Sequence, residues 1–179
     1  MVDPVAARTW AHRGLLALLV AAIALIRLMP FDPGPGGLPG PDLILALVFA
    51  WLLRRPAYVP AWLVVALFLP LDLLLHQPPG LGALAALAAT EFLRARGEAI
   101  RTAPFPVEWA LVTGTLLAMV AAQQAAMALF FVPRPPLGLD LVRALFTAAV
   151  YPLAVLATHY VFGVRKATPG EVDALGARL

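Results

Sequence analysis

Apolar residues in this chain come in long unbroken runs rather than in alternation. Six runs occupy residues 15–29, 43–53, 58–75, 81–93, 107–132 and 141–164. None has the period of two that marks a half-buried strand, and turn residues separate them, so each run predicts a helix. In lipid the backbone must satisfy its own hydrogen bonds, which leaves helices or closed barrels as spanning structures. A helix needs about 20 residues to cross a hydrocarbon core of roughly 30 Å. The second and fourth runs fall short of that. They are expected to recruit flanking residues, to lie behind neighbouring helices, or to thin the bilayer locally. The architecture expected is an all-α integral membrane bundle of six transmembrane helices over residues 1–166, with a short cytoplasmic tail over 167–179. In that tail Thr168, Pro169 and Glu171 are placed for the capped start of a short surface helix.

Composition agrees with a bilayer environment. Hydrophobic residues make up 62% and charged residues 13% of the 179 positions, and the mean hydropathy is +0.88. A soluble domain is about half apolar and about a quarter charged, so this chain has too little polar surface to cover a globule in water. The net charge of +3 then carries topology rather than nucleic-acid binding. Cysteine is absent, which removes disulfides, thiolate metal sites and cysteine nucleophiles together. The N-terminus imitates a signal peptide, but it has no small-x-small cleavage site before the next apolar run, so a retained first helix is expected.

The basic residues divide unequally between the two sides of such a bundle. Arg8, Arg13, Arg54, Arg55, Arg94, Arg96, Arg101, Arg165, Lys166 and Arg178 fall at the termini and at the loops after the second and fourth runs. Only Arg27, Arg134 and Arg143 lie on the other side or at membrane depth. The positive-inside bias therefore predicts cytoplasmic termini. Arg54 and Arg55 are expected to snorkel to the inner interface. Asp42 is expected to open the second helix from outside, where an acid accepts orphan N–H groups and suits the helix dipole. Pro56 and Pro60 force a short turn into the third helix. The Pro/Gly-rich segments 31–42, 76–82 and 132–140 are external connections.

Candidate chemistry is sparse. The chain contains no GxSxG, HExxH, Walker-type or GxGxxG motif. His12, His76 and His159 have no ligand spacing, so no metal and no cofactor is expected. Ionisable groups at membrane depth mark function more often than surface ones. Arg27, Asp72 and Arg143 join Asp42, Arg134 and Asp140 in the outer half, three acids with three bases. Mutual pairing that clamps helix ends is one reading, with Asp72 held by Arg27 or Arg143. Contact with a substrate or partner is the other. Glu91 and Arg94 are spaced for an i,i+3 pair. Small residues four apart recur at Ala17/Ala21, Gly114/Ala118/Ala122 and Ala144/Ala148, where helices could approach closely. Gln123 and Gln124 are adjacent amides in an apolar helix and need hydrogen-bond partners, on this chain or another.

The stretches PDLILALVFAWLLRRPAYVP (41–60), LDLLLHQPPGLGAL (71–84) and ATEFLRAR (89–96) resemble MreD, the bacterial rod-shape-determining membrane protein family. The likeness rests on Pro41–Asp42, on Arg54–Arg55–Pro56, and on Asp72 followed by Pro79–Gly80. It covers helices two to four well and the six-helix layout of the chain loosely. Pro70 and Leu71 depart from the glycine-rich approach the family often has before that aspartate. The resemblance implies a non-catalytic scaffold of the cell-elongation (Rod) machinery in the bacterial inner membrane. It implies MreC as the partner, through its membrane helix and proximal periplasmic segment, with RodA, a penicillin-binding transpeptidase and MreB nearby. It also implies a fold similar to the substrate-binding components of energy-coupling-factor transporters. The alternative is a small-molecule, vitamin-type substrate-binding component of a membrane transporter, with Asp72, Arg27 and Arg143 lining its cavity. No nucleic-acid partner is expected on either reading.

Overall fold

The computed structural model describes residues 4–29, 39–75, 77–101 and 103–164. Among these residues the protein is all-helical, with no strand. Seven α-helices follow one another: α1 (Pro4–Leu28), α2 (Leu43–Arg54), α3 (Ala61–Leu74), α4 (Leu81–Ala95), α5 (Gly97–Arg101), α6 (Phe105–Leu129) and α7 (Leu137–Tyr160). A single 3₁₀ turn, Pro56–Tyr58, joins α2 to α3. Each apolar run contributes one helix, and α5 is an addition that apolarity did not mark. Residues 30–38, most of the connection 31–42 expected to be external, lie outside the described residues, as do His76 and the tail with its expected surface helix.

Three helices, Val5–Leu28, Phe105–Leu129 and Leu137–Tyr160, are long and apolar enough to cross a membrane. By contrast α2 has 12 residues, a length of roughly 18 Å at 1.5 Å per residue. Its position makes up for that. All of α2 except Leu43 and Leu45 is buried, packed among α1, α4 and α7. A helix enclosed by protein need not match the bilayer, which is one of the three routes expected for a short run. Phe49 and Trp51 are fully buried at its centre. The remaining helices pair as α3 with α4 and α6 with α7, with α4 also against α6.

Local backbone chemistry follows the sequence closely. Asp42 caps α2 and accepts the Leu45 N–H at 3.1 Å. At the far end α2 stops at Arg54, where Pro56 has no N–H to continue it. Pro152 lies inside α7 and cannot donate to the Ala148 carbonyl, the acceptor one turn back. The Trp109 indole N–H of α6 fills that vacancy at 2.7 Å. The hydroxyls of Thr113, Thr115, Thr147 and Thr158 each donate to the carbonyl four residues earlier, so these polar groups stay satisfied within their own helices.

Candidate functional site

Polar side chains gather at the two ends of the bundle. At one end the last turn of α1 meets the start of α2: Arg27 Nη2 lies 3.1 Å from Asp42 Oδ1 and donates to the Pro41 carbonyl at 3.0 Å. The Asp42 backbone N–H donates to Thr147 Oγ1 at 2.7 Å, which ties α2 to α7. One aspartate thus caps its own helix, binds α1 through its carboxylate and α7 through its amide.

Asp72, near the end of α3, is buried. Its Oδ2 accepts the Ala83 N–H in the first turn of α4 at 3.0 Å. Gly80 at φ +83° turns the chain into α4 in the left-handed region, which glycine enters without a Cβ penalty. Gly82 matters for a different reason: a Cβ there would run into Asp72 Oδ1. The expected basic partner, Arg27 or Arg143, is therefore replaced by a backbone amide. The correction is physical. The N-terminal turn of α4 offers orphan N–H groups and a positive dipole end, and Arg27 is occupied by Asp42.

The adjacent amides separate. Gln124 Nε2 donates to Asp140 Oδ2 at 2.7 Å and to the Pro135 carbonyl at 3.1 Å, so it fastens the 132–136 turn and the start of α7 to α6. Its partner lies on its own chain. Gln123 and Arg143 instead line a cavity of about 330 Å³ together with Arg27, Asp42, Asp72, Asp140 and Thr147. Phe68, Leu71, Leu116 and Met119 form apolar wall. The structure thus brings five of the six charged residues expected at that end to one place and leaves Arg134 exposed outside the cavity, and only Arg27 and Asp42 join as an ion pair in that set. Asp72 and Asp140 take uncharged N–H donors. The Arg143 guanidinium has no partner among the described residues.

At the opposite end lies a cluster that the sequence did not reveal. Arg54 Nη1 lies 3.1 Å from Glu108 Oε1 and donates to the Ala50 carbonyl at 2.9 Å. The Tyr151 hydroxyl donates to the same Glu108 oxygen at 2.7 Å. The side chains of Arg54 and Glu108 are 6% and 1% exposed. Arg54 does not snorkel, because a carboxylate reaches it inside the bundle and removes the need to reach water. Arg55, at the α2 C-cap, is only partly buried. The available signal was Glu108 itself, the one acid of α6, standing between Val107 and Trp109. The expected Glu91–Arg94 pair forms at 3.1 Å, and Arg94 also reaches the Pro56 carbonyl.

The small-residue ladders divide as well. Ala144 and Ala148 are buried, whereas Gly114, Ala118 and Ala122 face outward on α6. Among the described residues no three His, Cys, Asp or Glu side chains converge as a metal site. Comparison of the chain with protein-family models, curated proteins and solved structures gives no match.

Proposed function

We propose that this protein is a non-catalytic membrane scaffold of the cell-elongation machinery, of the MreD kind, acting by binding MreC and thereby helping to regulate lateral peptidoglycan synthesis and rod shape. One observation supports this reading above the others. Three charged residues among those that carry the resemblance each fasten one helix to another. Asp42 joins α2 to α1 and α7, Arg54 joins α2 to α6, and Asp72 joins α3 to α4. Charges spent in this way hold a shape and leave recognition to the outer surface, as a scaffold requires. On this reading the six helices α1–α4, α6 and α7 lie in the bacterial inner membrane with both termini cytoplasmic, and the Asp42 end faces outward. RodA, the penicillin-binding transpeptidase and MreB belong to the same assembly.

Depletion in a rod-shaped host tests the proposal: cells should round, and MreC should co-purify with the protein. Cysteines placed at Gly37 and Arg96 should label from opposite sides of the membrane; labelling from one side overturns the topology. The cavity at the Asp42 end favours the alternative, a solute-binding transporter component, since its volume falls within the range of small-molecule sites. Cells that stay rod-shaped on depletion but lose uptake of a vitamin would decide for that reading.

A further inference from the structure

We propose that the flank of the bundle formed by α3 and α4 thins the bilayer beside it, to about two-thirds of the ordinary hydrocarbon thickness. The inference rests on the membrane placement proposed above, with α3 and α4 crossing, and needs no particular partner. α3 has 14 residues and α4 has 15, lengths of roughly 21 and 22 Å at 1.5 Å per residue. The hydrocarbon core is roughly 30 Å thick. Enclosure by protein frees α2 from that mismatch, but these two helices are not enclosed. Trp62, Val65, Leu69, Leu73 and Leu74 form an open stripe along α3, each between 36% and 60% exposed. Leu84 and Phe92 are exposed on α4.

Polar groups fix both edges of this flank. At the Arg54 end Arg13 of α1 donates to the Ala57 carbonyl. Arg94 of α4 donates to the Pro56 and Val59 carbonyls, so two guanidinium groups stand level with the start of α3. At the other end the Asp72 carboxylate takes the Ala83 N–H, and the Asp72 carbonyl takes that of Gln77. The chain rises roughly 20 Å from Val59 to Asp72 and roughly 17 Å from Ala83 to Arg94. Arg13 and Arg27 on α1 are separated by roughly 21 Å as well. Long side chains extend a short helix by reaching outward, but Arg13 and Arg94 are held back by the carbonyls they bind. Tilt only lowers a helix, and turn backbone left in hydrocarbon would lack water for its polar groups. The lipid must therefore come down to the protein. α6 shows the contrast: its 25 residues span roughly 37 Å, and its one charged residue, Glu108, is buried. The bundle is tall along α6 and low along α3, and a neighbour with equally short helices would gather at the low side, where sharing the patch relieves deformed lipid.

Lipid competition at single sites reads the thickness that each flank prefers. The chain has no cysteine, so Leu69→Cys on α3 or Leu117→Cys on α6 carries one bimane fluorophore, and both positions are exposed. The full-length protein is reconstituted with a nitroxide-labelled phosphatidylcholine that quenches the fluorophore. Unlabelled phosphatidylcholines with chains of different length then compete for the same surface. At Leu69→Cys, chains of about 14 carbons should displace the quencher about threefold better than chains of about 20. At Leu117→Cys the longer chains should compete better. The same chain-length preference at both sites overturns the proposal. Absence of quenching at Leu69→Cys also overturns it, because protein rather than lipid would then cover α3. A third variant, Pro79→Cys in the exposed turn between α3 and α4, checks the crossing itself. It should react with a membrane-impermeant reagent from the same side as a cysteine at Gly37. A closed Pro79→Cys site overturns the thinning, since the hairpin would then end inside an undeformed core. The scaffold reading is judged separately, by cell shape and co-purification.

Discussion

The two ends of this bundle solve the burial of charge in opposite ways. At one end Arg54, Glu108 and Tyr151 close on a single carboxylate oxygen, with both ionic side chains almost wholly out of contact with the surroundings. At the other, Arg27 and Asp42 meet with side chains 25% and 20% exposed, beside a cavity of about 330 Å³. Attraction between charges is strong where the dielectric is low, but so is the cost of leaving one alone. The closed end is therefore an all-or-none lock. The open end is a set of separate ties, Asp42 to Arg27, Asp72 to Ala83 and Asp140 to Gln124, each removable with modest loss.

Removing Glu108 breaks the comparison most directly. Glu108→Ala strands the Arg54 guanidinium and the Tyr151 hydroxyl inside the protein, and stability should fall by about 3–5 kcal/mol. Thermal unfolding in detergent measures it. The triple change Arg54→Met, Glu108→Leu and Tyr151→Phe removes all the polar partners together and should recover most of that loss. An unchanged melting temperature for Glu108→Ala would show that the cluster is not a lock.

Next in size is the contact at Gly82. A methyl group there meets the Asp72 carboxylate, and Gly82→Ala should cost about 1–3 kcal/mol as the α3–α4 hairpin shifts. In an Asp72→Ala background the obstacle is gone, so the same substitution should cost far less. A double-mutant cycle reads the coupling. Additive effects would mean that the carboxylate does not sit against that turn.

These two regions were not equally legible in the sequence. The open end could be read because its determinants are local. Asp42 stands next to the apolar run it caps, and Pro79 and Gly80 announce the turn that places α4 against Asp72. What sequence distance hid was the choice of partner. Depth counting put Asp72 among the arginines but cannot see that a helix N-terminus comes closer. At the closed end the determinants lie 54 residues apart for Arg54 and Glu108. A double arginine at the end of an apolar run reads as an interface marker, and nothing near residue 54 indicates a carboxylate on another helix. The length of α1 was underestimated for a related reason, whereas α3 is shorter than its run, 58–75, because the 3₁₀ turn and Pro60 precede it. Apolarity delimits what lipid touches, so the polar first turns of α1, with Arg8, Thr9 and His12, fell outside the run although they are helical. α5 is five residues long, too short for any periodic signal.

A smaller effect is expected at the Arg27–Asp42 pair. Arg27→Ala should cost no more than about 1 kcal/mol, because both groups remain partly exposed and Asp42 keeps its Leu45 cap. Added salt should shrink the difference from wild type, since partly exposed charges are screened. The Arg54–Glu108 cluster should show little salt response. Equal salt sensitivity at the two ends would remove the distinction between them.

The smallest expected effect separates two neighbours in sequence. Gln124→Leu loses the bonds to Asp140 and Pro135, and amide bonds within membrane helices contribute about 0.6 kcal/mol each on average. The loss should therefore be about 1 kcal/mol. It should fall on the 132–136 turn, where faster amide exchange would report it. Gln123 makes no such tie among the described residues and faces the cavity, so Gln123→Leu should leave stability unchanged. The pair also tests where recognition lies. If a partner's membrane helix grips the amides, both substitutions should weaken co-purification alike. With Gln124 already spent inside the chain, Gln123→Leu alone should change binding, of a partner or of a solute in the cavity. Equal losses of stability for the two variants would mean that the Gln124–Asp140 bond contributes nothing, and the open end would then rest on Asp42 and Asp72 alone.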